Sequence, residues 1–135
     1  MRRIHARLHP RAVRVDTEKI GPVGGMVLFA IEEAAPISLT HLGHLVARDK
    51  SQLTRLVHLL EHKGLISRVS SETDARMSFL SLTEAGEILA GKLRNALRET
   101  VNEVLFPLDA QELETLEHLL RKALPPDNDL MLRGR

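Results

Sequence analysis

Apolar positions recur along this chain with two periods, and the change from one to the other marks out its elements. Between Asp49 and Gly64 the period is helical: Leu53, Leu56, Val57 and Leu60 stand at i, i+3, i+4 and i+7 and make one dry stripe. Ser51, Arg55, His58 and His62 fall on the opposite side, with Gln52 and Thr54 on its flanks. Asp49 is a strong N-cap residue and Gln52 follows at capping-box spacing, so a helix is predicted over Ser51–Lys63. Gly64 best accepts the left-handed backbone that ends a helix, and Leu65 can close that cap by apolar contact. The period then drops to two. Ile66, Arg68 and Ser70 alternate with Ser67 and Val69, a polar run covers 71–76, and Phe79, Leu80 and Leu82 resume the apolar pattern; a β-hairpin is predicted.

The flanking segments read as helices with one short strand. Val23, Met26, Val27, Ala30 and Ala34 predict a helix over Pro22–Ala34, with Pro22 in its first turn and Pro36 beyond its end. Ile37–Leu39 is predicted to be a short strand closing the hairpin sheet. Thr40 is then expected to cap a helix over Thr40–Ala47, with Leu42, Leu45 and Val46 facing inward. Thr83 is expected to cap a long helix over Glu84–Phe106, whose stripe holds Ala85, Ile88, Leu89, Leu93, Ala96, Leu97, Val101, Val104 and Leu105. At 1.5 Å per residue that helix runs roughly 35 Å, more than one small lobe can cover, so a second subunit is the economical partner for its far half. Asp109 and Glu112 form a capping-box pair ahead of Leu113, Leu116, Leu119, Leu120 and Leu124, until Pro125-Pro126. Ile4, Leu8, Ala12 and Val15 give Met1–Lys19 an amphipathic helical period that Pro10 interrupts; a basic arm is the alternative there.

The outward face of Ser51–Lys63 carries hydroxyl, amide and guanidinium groups, which suit the hydrogen-bonding edges of bases in a major groove. A basic hairpin beside it suits phosphates or a narrow minor groove. Thr40–Ala47 and Ser51–Lys63 with that hairpin therefore read as a winged helix-turn-helix. The runs Asp49-Lys50-Ser51-Gln52-Leu53-Thr54-Arg55-Leu56-Val57, Leu60-Glu61-His62-Lys63-Gly64-Leu65-Ile66, Asp74-Ala75-Arg76 and Leu80-Ser81-Leu82-Thr83-Glu84-Ala85-Gly86 resemble the MarR family of bacterial transcriptional regulators over about residues 20–124. The resemblance implies a homodimer on a pseudo-palindromic operator, with Ser51–Lys63 in the major groove and Arg76 reaching the minor groove, braced by Asp74. It also implies a small-molecule effector between the dimerisation helices and the DNA-binding lobe. Ser51, Gln52, Thr54 and Arg55 are the candidate base contacts; Thr40, Lys50, His58 and Arg68 are candidate backbone contacts.

Composition narrows the classes. The expectation is a single mainly α domain over 1–135 with a small β-wing: a lobe at about 20–82, dimerisation helices at 1–19 and 83–124, and a tail at 125–135. The net charge is +1, but it is unevenly spread: residues 48–82 hold six basic and four acidic residues, and residues 83–135 hold seven and ten. That asymmetry would orient the molecule on a phosphate backbone. No apolar run approaches bilayer-spanning length and no signal-peptide pattern opens the chain, so a cytoplasmic protein without membrane contact is expected. There is no Cys, which removes disulfides and thiolate metal sites.

Rival chemistry is weaker. Gly21-Pro22-Val23-Gly24-Gly25 lacks the Lys-Ser/Thr of a phosphate loop and no strand precedes it. His41 with His44 and His58 with His62 have spacings that share a helix face, which keeps a zinc-responsive regulator as an alternative, although no carboxylate cluster joins them and no metal site is expected. No nucleophile with an orienting base is recognisable, so neither catalysis nor a cofactor is expected. A winged helix used for protein–protein contact is the other alternative. The polar, Arg-bearing face argues against it, because interface cores are richer in aromatics.

Overall fold

The computed structural model describes residues 14–70 and 78–124. Most of the expected helix over Met1–Lys19, the wing tip with Asp74 and Arg76, and the tail from 125 lie outside the described residues. The elements run α1 (Gly21–Ala34), β1 (Ile37–Ser38), α2 (Leu39–Val46), α3 (Lys50–His62), β2 (Ile66–Ser70), β3 (Ser78–Leu82), α4 (Glu84–Leu105) and α5 (Ala110–Ala123). The chain groups into two compact units, one through Glu99 and one from Thr100, with α4 crossing the division.

In the first unit α1 opens on a cap that lies outside its own first turn. The Asp16 carboxylate accepts from the Ile20 N–H at 3.0 Å and the Gly21 N–H at 2.7 Å, satisfying donors that a helix start leaves free. Pro22 stands in the first turn, where a missing N–H costs nothing. At the far end Ala35 is extended (ψ 141°), as a residue before proline prefers, and α1 stops. Val27, Leu28 and Ile31 of α1 are fully buried, and they join Leu42, Leu53, Val57, Leu60, Leu65 and Leu80 in one core.

The sheet has the order β1-β3-β2, antiparallel throughout, with Ile37 opposite Leu80 and Ile66 opposite Leu82. Its core-facing residues are Ile37, Leu80 and Ile66; the outer part of β2, from Ser67 to Ser70, is exposed. Two expectations for α2 fail. Ser38, not Thr40, caps α2: its Oγ accepts from the His41 N–H at 3.2 Å, because β1 ends at Ser38 and the helix starts directly afterwards. Leu45 stands 37% exposed while Leu42 and Val46 are buried, so α2 lines the core on a narrower face than its sequence implies.

The first half of α4 belongs to the same unit and packs through Gly86, Leu89 and Ala90, while Ile88 and Leu97 are exposed. Its contact with α1 is partly electrostatic: Arg94 pairs with Glu32 and lies over the Phe29 ring, 5.8 Å from the centroid. In the second unit α5 starts on a complete capping box, with Asp109 Oδ1 accepting from the Glu112 N–H and Glu112 Oε2 from the Asp109 N–H, both at 2.9 Å. None of its residues is buried: Leu113, Leu119 and Leu120 are exposed, as is Leu124 just past its end.

Candidate nucleic-acid interface

The site is built around α3. Asp49 caps it, its Oδ1 accepting from the Ser51 N–H at 3.0 Å, the Gln52 N–H at 2.9 Å and the Ser51 hydroxyl at 2.8 Å. The Gln52 amide bond, then the Ser51 hydroxyl, hold the Asp49 carboxyl below its usual range by favouring the charged form. Before the cap, Ala47 takes a left-handed conformation (φ 48°), which turns the chain sharply between α2 and α3. At the other end the Leu65 N–H donates to the Leu60 carbonyl at 3.0 Å and the Gly64 N–H to the Glu61 carbonyl at 2.9 Å, the paired bonds of a Schellman stop. Gly64 has φ +69°, a region where a side chain would be strained.

Between these ends the helix has a dry side of Leu53, Val57 and Leu60, all essentially buried. Lys50, Ser51, Gln52, Arg55, His58 and His62 are exposed and Thr54 is half-buried. One helix thus brings six of the predicted site residues together: Lys50, Ser51, Gln52, Thr54, Arg55 and His58. Two hydroxyls are already used as donors, Ser51 to Asp49 Oδ1 and Thr54 to the Lys50 carbonyl at 2.7 Å. Their remaining lone pairs can accept, whereas Arg55 can only donate.

The other site residues are placed differently. Thr40 is exposed on α2. Arg68, on β2, turns its guanidinium to Glu61 of α3 and to Ser78 of β3. Asp74 and Arg76 lie outside the described residues. His41, His44, His58 and His62 are all exposed, and among the described residues no group of three or more His, Cys, Asp or Glu could hold a metal ion. No helix among them is long and apolar enough to cross a membrane.

Sequence reasoning passed over two residues. Glu61 reads as one more charge late in a helix; nothing local reveals that the hairpin folds back to present Arg68 to it. Arg48, in the α2–α3 turn, lines a cleft of about 90 Å³ with Val23, Gln52, Leu53 and Leu56. That volume is well below the ~300 Å³ at which most ligand pockets begin.

A model of the MarR family matches residues 24–78, from α1 to the start of β3. The chain is 27% identical to a mutant MarR from Escherichia coli solved in complex with operator DNA, covering 92% of this chain and 87% of that one at a TM-score of 0.73. The wild-type apo form of E. coli MarR matches at 27% identity, 92% and 90% coverage and a TM-score of 0.78. A probable transcriptional regulator from Pseudomonas aeruginosa is 31% identical over 90% of this chain and 94% of that chain, with a TM-score of 0.63. The capped helix, its paired wing strands and these likenesses converge: the chain belongs to the MarR family and has the winged-helix fold of its transcriptional regulators.

Proposed function

We propose that the protein is a sequence-specific regulator of transcription that binds double-stranded DNA as a cytoplasmic homodimer on a pseudo-palindromic operator. Repression released by a small-molecule effector is the mode of action in this reading. The observation that carries it is the outward face of α3, where Ser51, Gln52, Arg55 and His58 stand exposed over a dry Leu53, Val57 and Leu60. The likeness to an operator-bound MarR supports the same use of that face.

In this reading the N-terminal half of α3 enters a major groove. Arg55 donates to guanine O6 and N7, the commonest specific contact of an arginine. Ser51 and Thr54, their own protons committed, accept from exocyclic amines of cytosine or adenine. Gln52 can do either. Lys50 and Thr40 contact the backbone, and Arg76, held by Asp74, approaches the minor groove. A two-fold dimer sets its half-sites about one helical turn apart, roughly 34–36 Å.

The test is selection of a duplex from a randomised pool, followed by titration at several salt concentrations. A palindromic consensus, bound more weakly as salt rises, is expected. Enrichment of no sequence would sink the reading.

A further inference from the structure

Glu61 lies in the last turn of α3 and belongs neither to its dry stripe nor to the outward face assigned to bases. Arg68 engages both of its carboxylate oxygens, Nε donating to Oε1 at 2.9 Å and Nη2 to Oε2 at 3.2 Å. This is the two-pronged match of a planar guanidinium to a carboxylate. The remaining nitrogen, Nη1, donates to Ser78 Oγ at 3.2 Å. A single side chain on β2 therefore ties both wing strands to the recognition helix. His58 joins the same carboxylate, its Nδ1 3.5 Å from Oε2. The two charged side chains are only 31% and 24% exposed, so water screens them less than an open surface pair.

The wing needs such a restraint. Of β2 only Ile66 is buried, and Ser67, Arg68, Val69 and Ser70 have no apolar floor beneath them. The strand is held to the lobe by its pairing with β3, where Arg68 stands opposite the buried Leu80, and an exposed strand tied on one edge gains most from a side-chain restraint on its angle. We infer that Glu61 and Arg68 form a clamp that fixes the angle between the wing and the recognition helix. Arg68 is then a positioning residue and not a phosphate contact, and Glu61 determines specificity without touching DNA. The pairing also neutralises a carboxylate that would otherwise stand near the phosphates. The inference rests on the DNA-binding reading above.

The test uses the duplex that the wild-type protein enriches from a randomised pool, beside a scrambled duplex of equal length. Affinity for both is measured across a salt series for the wild type, E61Q and R68K, with a thermal melt of each variant. R68K keeps the charge but cannot make the two-pronged contact. The clamp predicts that both variants melt like the wild type yet lose about fivefold in the preference for the enriched duplex, with the salt slope of R68K unchanged. Combining them should lose no more than either alone, because both break one contact. If R68K keeps the full preference while E61Q binds both duplexes more tightly, Arg68 acts as a phosphate contact and the clamp is wrong. If the wild type enriches nothing, the DNA-binding reading fails and the clamp goes with it; a preference retained by both variants overturns the clamp alone.

Discussion

In the proposed reading, Arg55 is the residue on which sequence preference would turn. It is exposed on the outward side of α3, one turn beyond Ser51. Arg55→Ala should therefore cost about 1–3 kcal/mol on the preferred duplex and much less on random DNA, read by fluorescence anisotropy. Equal loss on both would make it a phosphate contact. Asp49 gives a different handle, because its carboxyl sits below the usual value of 3.8 through the bonds from Gln52 and Ser51. A depressed value in the folded state means that the cap contributes in full above the ordinary carboxylate range and is lost as pH falls through the folded value. Wild type should exceed Asp49→Ala in stability near neutrality, and melts in acid should show the gap closing below about pH 4. A gap independent of pH would mean that the charge is not what caps the helix.

At the scale of elements, what the sequence revealed was what is local. The caps at Asp49, Gly64, Thr83 and Asp109 each depend on residues within a few positions, and their residue types leave few alternatives. The helices follow from period, and the β2–β3 pairing from two short runs around a polar turn. What stayed hidden depends on partners distant in the chain. Ser38 and Thr40 are equally good cap residues; the choice falls to Ser38 because β1 pairs with β3 up to that point, Ser38 opposite Phe79. Leu45 looks inward by spacing but stands at the edge of the core, 37% exposed. Arg68 looks like a free cation until the hairpin brings it to Glu61. The candidate face of α3 was legible because it is one side of one helix, whereas the clamp beside it joins three elements.

For the whole molecule the unanswered surface is apolar. Ile88, Leu97 and Val101 of α4, Leu113, Leu119 and Leu120 of α5 and Leu124 just beyond it are exposed. The homodimer proposed above would cover them. Light scattering should find twice the chain mass of 15.1 kDa. Leu119→Glu with Leu120→Glu should shift it to one chain, with loss of tight binding to the two-half-site duplex. An unchanged mass in that variant would place the subunit contact elsewhere. Since α5 buries nothing in its own unit, its folding should also strengthen with protein concentration.

One hydroxyl in this fold has mechanical weight. Thr83 donates its proton to the Gly64 carbonyl and accepts from the Gly86 N–H at 3.1 Å, while its own N–H reaches the Leu65 carbonyl at 3.0 Å. Beside it, a β-carbon at Gly86 would collide with that same Leu65 oxygen, so nothing larger than hydrogen lets the two segments close up. The stop after α3 and the head of α4 are thus joined at one point. Thr83→Val should loosen that joint: amide exchange at Leu65 and Gly86 would quicken while the middle of α3 stays protected. Equal protection at both amides would mean that the joint does not depend on the hydroxyl.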